Sequence, residues 1–482
     1  MNGNRPVTVE APPSLYASRE PIFPRRVKGP FRTLKWWLLG LTLGIYYITP
    51  WLRWDRGPNM PDQAVLIDLG GRRFFFFMIE IWPHEFYFVA GLLIMAGLGL
   101  FLFTSALGRV WCGYACPQTV WTDLFILVER WVEGDRNARL RLHRQGWNAE
   151  KARKRAVKWT VWLLIAVGTG GAWVFYFADA PTLLRDLVTL NAHPAAWITI
   201  AALTATTFVF GGFMREQICI YACPWPRIQA AMMDEDTLTV AYRDWRGEPR
   251  GKLQRGAVAP ADAQGDCIDC MACVNVCPTG IDIRDGQQLA CITCALCIDA
   301  CDDTMAKIGK PRGLIDYLAL TDEVAERAGT PPKSVWRHIL RPRTILYTAL
   351  WGLVGVGLVV ALFLRSDIAV NVTPVRNPIY VTLSDGAIRN TYDLRLLNKH
   401  GDARQFRISL TADQPLDLML EGQQAQTVTV PGNATSTQRI YVVAPAKSQA
   451  AHENRTDLRL WVEDLGTTDH IHSDTIFNGQ DD

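Results

Sequence analysis

Twelve cysteines carry the chemistry that can be read from this 482-residue chain, and all of them lie between Cys112 and Cys301. Eight form two runs. The first is Cys267, Cys270, Cys273 and Cys277, followed by Pro278. The second is Cys291, Cys294, Cys297 and Cys301, with Asp302 in place of the proline. Each run has the C-x₂-C-x₂-C-x₃-C spacing by which thiolates ligate a [4Fe-4S] cubane. Three closely spaced cysteines wrap three irons, while the fourth, one step further on at the head of a helix, reaches the other cluster. This predicts one cluster on Cys267, Cys270, Cys273 and Cys301, and a second on Cys291, Cys294, Cys297 and Cys277. Zinc sites set C-x₂-C pairs apart by a longer loop, so the doubled pattern speaks against them.

The remaining four cysteines repeat a shorter string. Cys112-Gly-Tyr-Ala-Cys116-Pro117 and Cys219-Ile-Tyr-Ala-Cys223-Pro224 both read C-x-Y-A-C-P, and each follows an apolar segment. They read as an internal duplication that sets equivalent thiols at the same membrane depth. Cysteines at i and i+4 share a helix face. Two such ends would bring Cys112, Cys116, Cys219 and Cys223 together as a metal site or a redox dithiol pair. Packing is the competing reading, because cysteine is also a small apolar residue. No glycine-rich dinucleotide fingerprint occurs, so NAD and flavin are not expected. His193, Met232, Met233 and Met271 are expected to pack or face solvent.

These thiols need elements to hold them. Five apolar windows can cross about 30 Å of hydrocarbon at about 1.5 Å per residue. They are Leu34–Leu52, Phe86–Leu107, Trp159–Ala178, Ala195–Met214 and Thr344–Leu364. Lys and Arg crowd the segment before the first window and the loop between the second and third, whereas Arg185 stands alone between the third and fourth. By the positive-inside rule the N-terminus, the Arg-rich loop and residues 215–343 are cytoplasmic, and an odd number of spans puts the C-terminus outside. The external run Arg72–His84, with Phe74–Phe77 at its centre, is read as an interfacial aromatic segment.

Past residue 365 the pattern changes to short alternating runs: Ile379–Leu383, Tyr392–Leu397, Phe406–Leu410, Leu416–Leu420, Thr427–Val430, Arg439–Val443 and Leu458–Val462. Seven short strands separated by turn residues predict an immunoglobulin-like sandwich. The fold class is therefore an α-helical membrane protein of five transmembrane helices, with an inserted bacterial-ferredoxin-like di-cluster domain and a C-terminal all-β immunoglobulin-like domain. The expected order is a cytoplasmic segment (1–33), a four-helix membrane region (34–224), the ferredoxin-like domain (225–343), the fifth helix (344–364) and the sandwich (366–482). A net charge of +3 gives no basic field for nucleic acid, and the ligand-like cysteine spacing points to a reducing compartment.

The strings Gly108–Trp121 and Cys219–Gln229, in order with the paired cluster motifs, resemble the FixG/CcoG family of cytochrome c oxidase accessory proteins. The resemblance covers most of the chain. It implies a bacterial inner-membrane protein that reduces Cu(II) to Cu(I) for assembly of a cbb-type oxidase, with Cys112, Cys116, Cys219 and Cys223 as the catalytic and copper-binding thiols. Implied partners are the oxidase subunits or copper-handling assembly factors, membrane lipid, and an electron donor that is a quinol or a cytoplasmic reductant. The competing readings are a quinol-linked electron-transfer subunit and a non-enzymatic assembly scaffold.

Overall fold

The computed structural model describes residues 21–57, 60–252, 264–366, 368–423, 425–467 and 469–480. The chain divides into two units, one built from 1–49, 89–176 and 183–354, the other from 50–88, 177–182 and 355–482.

Among the described residues four helices are long and apolar enough to cross a membrane: Pro83–Leu107, Ala149–Val174, Pro194–Met214 and Pro342–Leu364. The first predicted window also forms a helix, Pro30–Ile48, but it is not one of the four. The reason lies in its opening turns. Arg32 and Lys35 are buried there and grip Asp123 at 3.1 and 3.0 Å, which leaves a short apolar remainder. Asp123 belongs to the helix Pro117–Glu133, whose buried face also carries Glu129 and Glu133. Glu129 is paired with Arg139, Arg215 and Lys158, and Glu133 holds Lys158 at 2.8 Å. Buried charges are tolerated only when paired in this way.

In the same unit the two cluster motifs are framed by a two-stranded antiparallel sheet, Thr239–Tyr242 with Ile315–Leu318. Two helices, Ala272–Val276 and Leu296–Lys307, pack behind the cysteine loops. Val240, Ile283, Ile298, Met305, Leu314 and Ile315 make the shared core. The N-terminal segment is stitched onto these helices: the Arg25 amide donates to Asn275 O at 2.7 Å, and the Arg32 amide to Asp299 Oδ2 at 2.7 Å.

The second unit adds detail to one expectation and corrects another. The run Arg72–His84, read as an interfacial aromatic segment, takes part in a small sheet. Val65–Asp68, Arg73–Phe76 and Ile79–Ile81 form a three-stranded meander with Phe75 fully buried and Phe76 and Phe77 exposed. The Phe run conceals the strand because it lacks the apolar–polar alternation that marks a half-buried one. The C-terminal domain has more strands than the seven expected. One sheet runs Asp417–Leu420, Ala434–Ala444, Ile388–Asn398, Ile368–Pro374, with Val381–Thr382 also paired to Ile388–Asn398; the other runs Thr427–Val430, Arg404–Ala412, Thr456–Asp464, His470–Phe477. Leu394, Leu396, Phe406, Ile408, Ile440, Val442, Leu460 and Val462 fill the space between. The two strands missed, Ile368–Pro374 and His470–Phe477, are edge strands. Few of their side chains are buried, which erases the apolar signal.

Candidate functional site

The two cluster motifs adopt the same backbone. In the first, Asp269 and Met271 flank Cys270 at φ 51° and 57°; in the second, Thr293 and Ala295 flank Cys294 at φ 54° and 58°. Left-handed backbone is costly for residues with a Cβ and persists where surrounding structure imposes it, often at functional sites. Here each double reversal winds the chain tightly enough for three cysteines to face one point. Arg284 locks the first loop, donating to Asp269 Oδ1 at 2.7 Å, to Asp282 Oδ2 at 2.6 Å and to Met271 Sδ at 2.8 Å.

Each loop closes over a small cavity whose walls are mostly apolar, with Arg284 lining the first and Thr279 the second. One is lined by Cys267, Cys270, Cys273 and Cys301, with Ile268, Met305, Leu314 and Ile315. The other is lined by Cys277, Cys291, Cys294 and Cys297, with Val240, Ile281 and Ile292, and with Cys273 on its edge. The fourth cysteine of each motif thus sits in the other motif's cavity. Neither heads a helix as expected: Cys277 caps the end of Ala272–Val276, and Cys301 lies inside Leu296–Lys307. Burial pushes the thiols of Cys273, Cys294 and Cys301 up to about 12, so they hold their protons until a metal displaces them. Among the described residues no three His, Cys, Asp or Glu side chains gather closely enough to hold a single metal ion. Four thiols spread around a cavity fit a cluster, whose ligands stand at its corners.

The duplicated motifs also share a backbone plan, with one difference. Cys116 (φ −60°, ψ 129°) and Cys223 (φ −79°, ψ 126°) are both extended, as residues before proline must be, and a helix starts beyond each one: Pro117–Glu133 and Trp225–Met232. The expected shared helical face is therefore not what joins the pairs. Cys112 lies on the short helix Val110–Tyr114, whereas Cys219 lies in a π-helical turn, Ile218–Ala222. The second copy has one more residue between its arginine and its first cysteine, Arg215 to Cys219 against Arg109 to Cys112. A widened turn of this kind absorbs an added residue, and Arg215 itself turns left-handed at φ 36°.

The Cys219 thiol lies within electrostatic reach of the other three, and Cys112 within reach of Cys116 and Cys223. The expected single metal site is not formed in this structure, where no three of these thiols gather closely enough to hold one ion. Burial pushes the Cys219 thiol up to about 12, and the thiols of Cys116, Cys112 and Cys223 push the same way. Burial likewise takes Cys112 to about 11 against the pull of the Arg109 guanidinium. The Cys112 thiol donates to Gln229 Oε1 at 3.0 Å, and both residues are buried.

This thiol group lies directly against the second cluster cavity. Cys112 shares a core with Val276, Ile292, Cys294 and Leu296. A Cβ added at Gly113 would lie 2.7 Å from Ile292 O and 3.0 Å from Cys294 Cα, so only glycine allows this approach. The Tyr114 hydroxyl donates to Cys294 O at 3.2 Å and that of Tyr317 to Thr293 O at 3.1 Å. Gly113, Arg109, Gln229 and Tyr114 escaped the sequence reading. One clue was present: the variable position of C-x-Y-A-C-P is Gly113 in the copy that touches the cluster loop and Ile220 in the other.

Residues 214–319 match the 4Fe-4S dicluster domain family, residues 88–134 a 4Fe-4S binding domain family, and residues 358–480 the IG-like fold at the C-terminus of FixG. Protein RdxB of Cereibacter sphaeroides is 75% identical over 97% of this chain and 98% of its own length. Protein RdxA of the same organism is 68% identical over 94% and 95%, and nitrogen fixation protein FixG of Rhizobium meliloti 56% identical over 88% and 84%. Among solved structures, a FixG-related protein from Vibrio parahaemolyticus aligns with 24% of this chain and 99% of its own at 16% identity, with a TM-score of 0.21. With this identity sustained along nearly the whole sequence, and with iron–sulfur domains followed by the IG-like domain of FixG in this chain, the chain belongs to the FixG/CcoG family.

Proposed function

We propose that this iron–sulfur protein is a cupric reductase of the bacterial inner membrane, delivering Cu(I) for assembly of a cbb-type cytochrome oxidase. The observation that carries the reading is the seating of the Cys112–Tyr114 turn on the Ile292–Cys294 loop, which puts a four-thiol group beside a cluster cavity. Two [4Fe-4S] clusters, one held by Cys267, Cys270, Cys273 and Cys301 and the other by Cys277, Cys291, Cys294 and Cys297, would supply single electrons.

The chain's own residues do the rest. Cys112, Cys116, Cys219 and Cys223 are the thiols that would take copper as substrate, closing on it as it binds, since no three of them gather on one point beforehand. Soft thiolates favour Cu(I) over Cu(II), so binding itself assists reduction to Cu(I). The high proton affinity of Cys112 and Cys219 means that binding expels their protons. Arg109 sits beside Cys112, Cys219 and Cys291 and eases that loss. Gln229 orients Cys112. In this reading Pro30–Ile48 is a fifth span, anchored on the cytoplasmic side through Arg32 and Lys35, so the ferredoxin-like region is cytoplasmic and the sandwich periplasmic.

The test is Cu(II) reduction by anaerobically purified, iron-loaded protein, read with a Cu(I)-selective chromophore. Serine at Cys112, Cys116, Cys219 and Cys223 should abolish it while leaving the iron content unchanged. Undiminished reduction in the four-serine variant would remove copper from these thiols.

A further inference from the structure

We propose that a cavity on the flank of the second cluster site is the binding site for the headgroup of a membrane quinol, the electron donor that the reductase reading requires. The cavity holds about 400 Å³, within the range of small-ligand sites, and is bounded by Arg109, Met233, Asp234, Thr239, Gln287 and Cys291. None of the copper thiols lines it, but it adjoins the second cluster cavity, with which it shares Val240 and Cys291. An occupant would therefore touch a residue of the second cluster's ligand set.

Its position favours a lipid-borne ligand. Arg109 follows the end of the span Pro83–Leu107 by two residues. Asp234 is tied by Arg343 at 2.7 Å and by Arg341 at 2.5 Å to the start of the span Pro342–Leu364. The cavity thus lies level with two span ends, where cationic side chains mark the membrane edge. Two of its lining leucines, Leu289 and Leu320, are 59% and 44% exposed, which gives it an apolar mouth.

Its polar groups favour two oxygens on a ring. Arg109 is 3% exposed; its Nη1 donates to Leu289 O, while its buried Nε has no hydrogen-bond partner among the described residues. A buried donor without an acceptor is costly, and a quinone oxygen supplies one. Gln287 and Thr239, joined by a 2.6 Å hydrogen bond, offer partners for a second oxygen. A phosphate-bearing donor fits poorly, because Asp234 and Glu235 share the wall and would repel it. Oxidation of one quinol to quinone releases two electrons and two protons. The cluster sites on Cys267, Cys270, Cys273 and Cys301 and on Cys277, Cys291, Cys294 and Cys297 would receive one electron each, and the protons would leave to water past the exposed Glu235.

The experiment uses the full-length, iron-loaded protein in lipid nanodiscs under anaerobic conditions. Calorimetric titration with decylubiquinone should show one saturable site per chain, and decylubiquinol should bleach the cluster absorbance. Ala230→Phe, which fills the cavity, and Gln287→Leu should each weaken binding about ten-fold, with iron content and dithionite bleaching unchanged. Absence of saturable binding to the unaltered protein, or equal affinity in both variants, overturns the proposal, as does bleaching by a soluble flavodoxin alone. Offering Cu(II) to dithionite-reduced protein keeps the two readings apart. Quinone binding without copper reduction defeats only the reductase, and copper reduction without quinone binding defeats only the quinol site.

Discussion

Cys112 and Gln229 are 117 positions apart and meet through a 3.0 Å hydrogen bond, the first in one duplicated motif and the second in the helix that follows the other. A reciprocal contact runs the opposite way: Glu129, in the helix after the first motif, binds Arg215 at the entrance to the second. The two halves are therefore cross-locked, each motif held by the helix trailing its counterpart.

Replacing Gln229 by leucine removes the acceptor while keeping the volume close. Groups that orient a metal ligand typically contribute about ten- to hundred-fold to affinity. Cu(I) affinity, measured by competition with a chromophoric chelator, is expected to fall at least about ten-fold in Gln229→Leu with the iron content unaltered.

Glu129→Gln should affect the fold more than the chemistry. It leaves Arg139, Lys158 and Arg215 packed around an uncharged group. Burial opposes ionisation of Glu129, but Arg215, Arg139 and Lys158 outweigh it and bring its carboxyl down to about 2, so the charge is present at neutral pH. Breaking a buried ion pair costs about 3–5 kcal/mol. Thermal unfolding in detergent should show a large drop in midpoint.

The exchange of fourth cysteines makes a distinct spectroscopic prediction. Cys277→Ser should perturb the cluster on Cys291, Cys294 and Cys297, and Cys301→Ser the one on Cys267, Cys270 and Cys273. Each motif binding its own fourth cysteine would give the opposite assignment in EPR of the single variants combined with a marker substitution at Cys270.

Lys35, almost fully buried, lies close enough to Cys294 for its charge to favour the thiolate. Lys35→Met should lower the potential of the neighbouring cluster by on the order of tens of millivolts, because a positive charge stabilises the reduced form. Arg32 still pairs with Asp123 in this variant, so the helix contact survives. EPR-monitored redox titration reads the shift, and an unchanged potential would exclude Lys35 as a tuning residue.

Asp234 anchors the last candidate span. Burial works against its ionisation, but hydrogen bonds from Arg341, Arg343 and Thr237 prevail and bring its carboxyl down to about 2. Because this lies below the ordinary value of about 3.9, the anchor is complete above pH ~4 and is lost as pH falls through about 2. The side chain is 31% exposed, which screens the pair. At neutral pH Asp234→Asn should cost about 1–2 kcal/mol, and its stability gap to the unaltered protein should close on acidification.

What could be read from sequence was local. The eight cluster cysteines stand out because their spacing is imposed by one short loop conformation, repeated at Asp269–Met271 and Thr293–Ala295. The thiols of Cys112, Cys116, Cys219 and Cys223 stand out because their motif is duplicated. Contacts between distant segments leave no such periodic trace. Nothing near Gln229 announces Cys112, and nothing near Lys35 announces Cys294. Pro30–Ile48 reads as apolar until Asp123 is seen to draw its two cations into the interior. The meander around Phe75 was hidden by its own aromatic uniformity.

The bare α-carbon of Gly113 has one more consequence. Electron exchange between two redox centres falls steeply with the thickness of matter between them, and Gly113 sets that thickness where the thiol turn meets the Ile292–Cys294 loop. A methyl group there would push the two surfaces apart, so Gly113→Ala would act as an insulating shim. The four thiols and the eight cluster cysteines would all remain, and yet the two centres would exchange electrons more slowly.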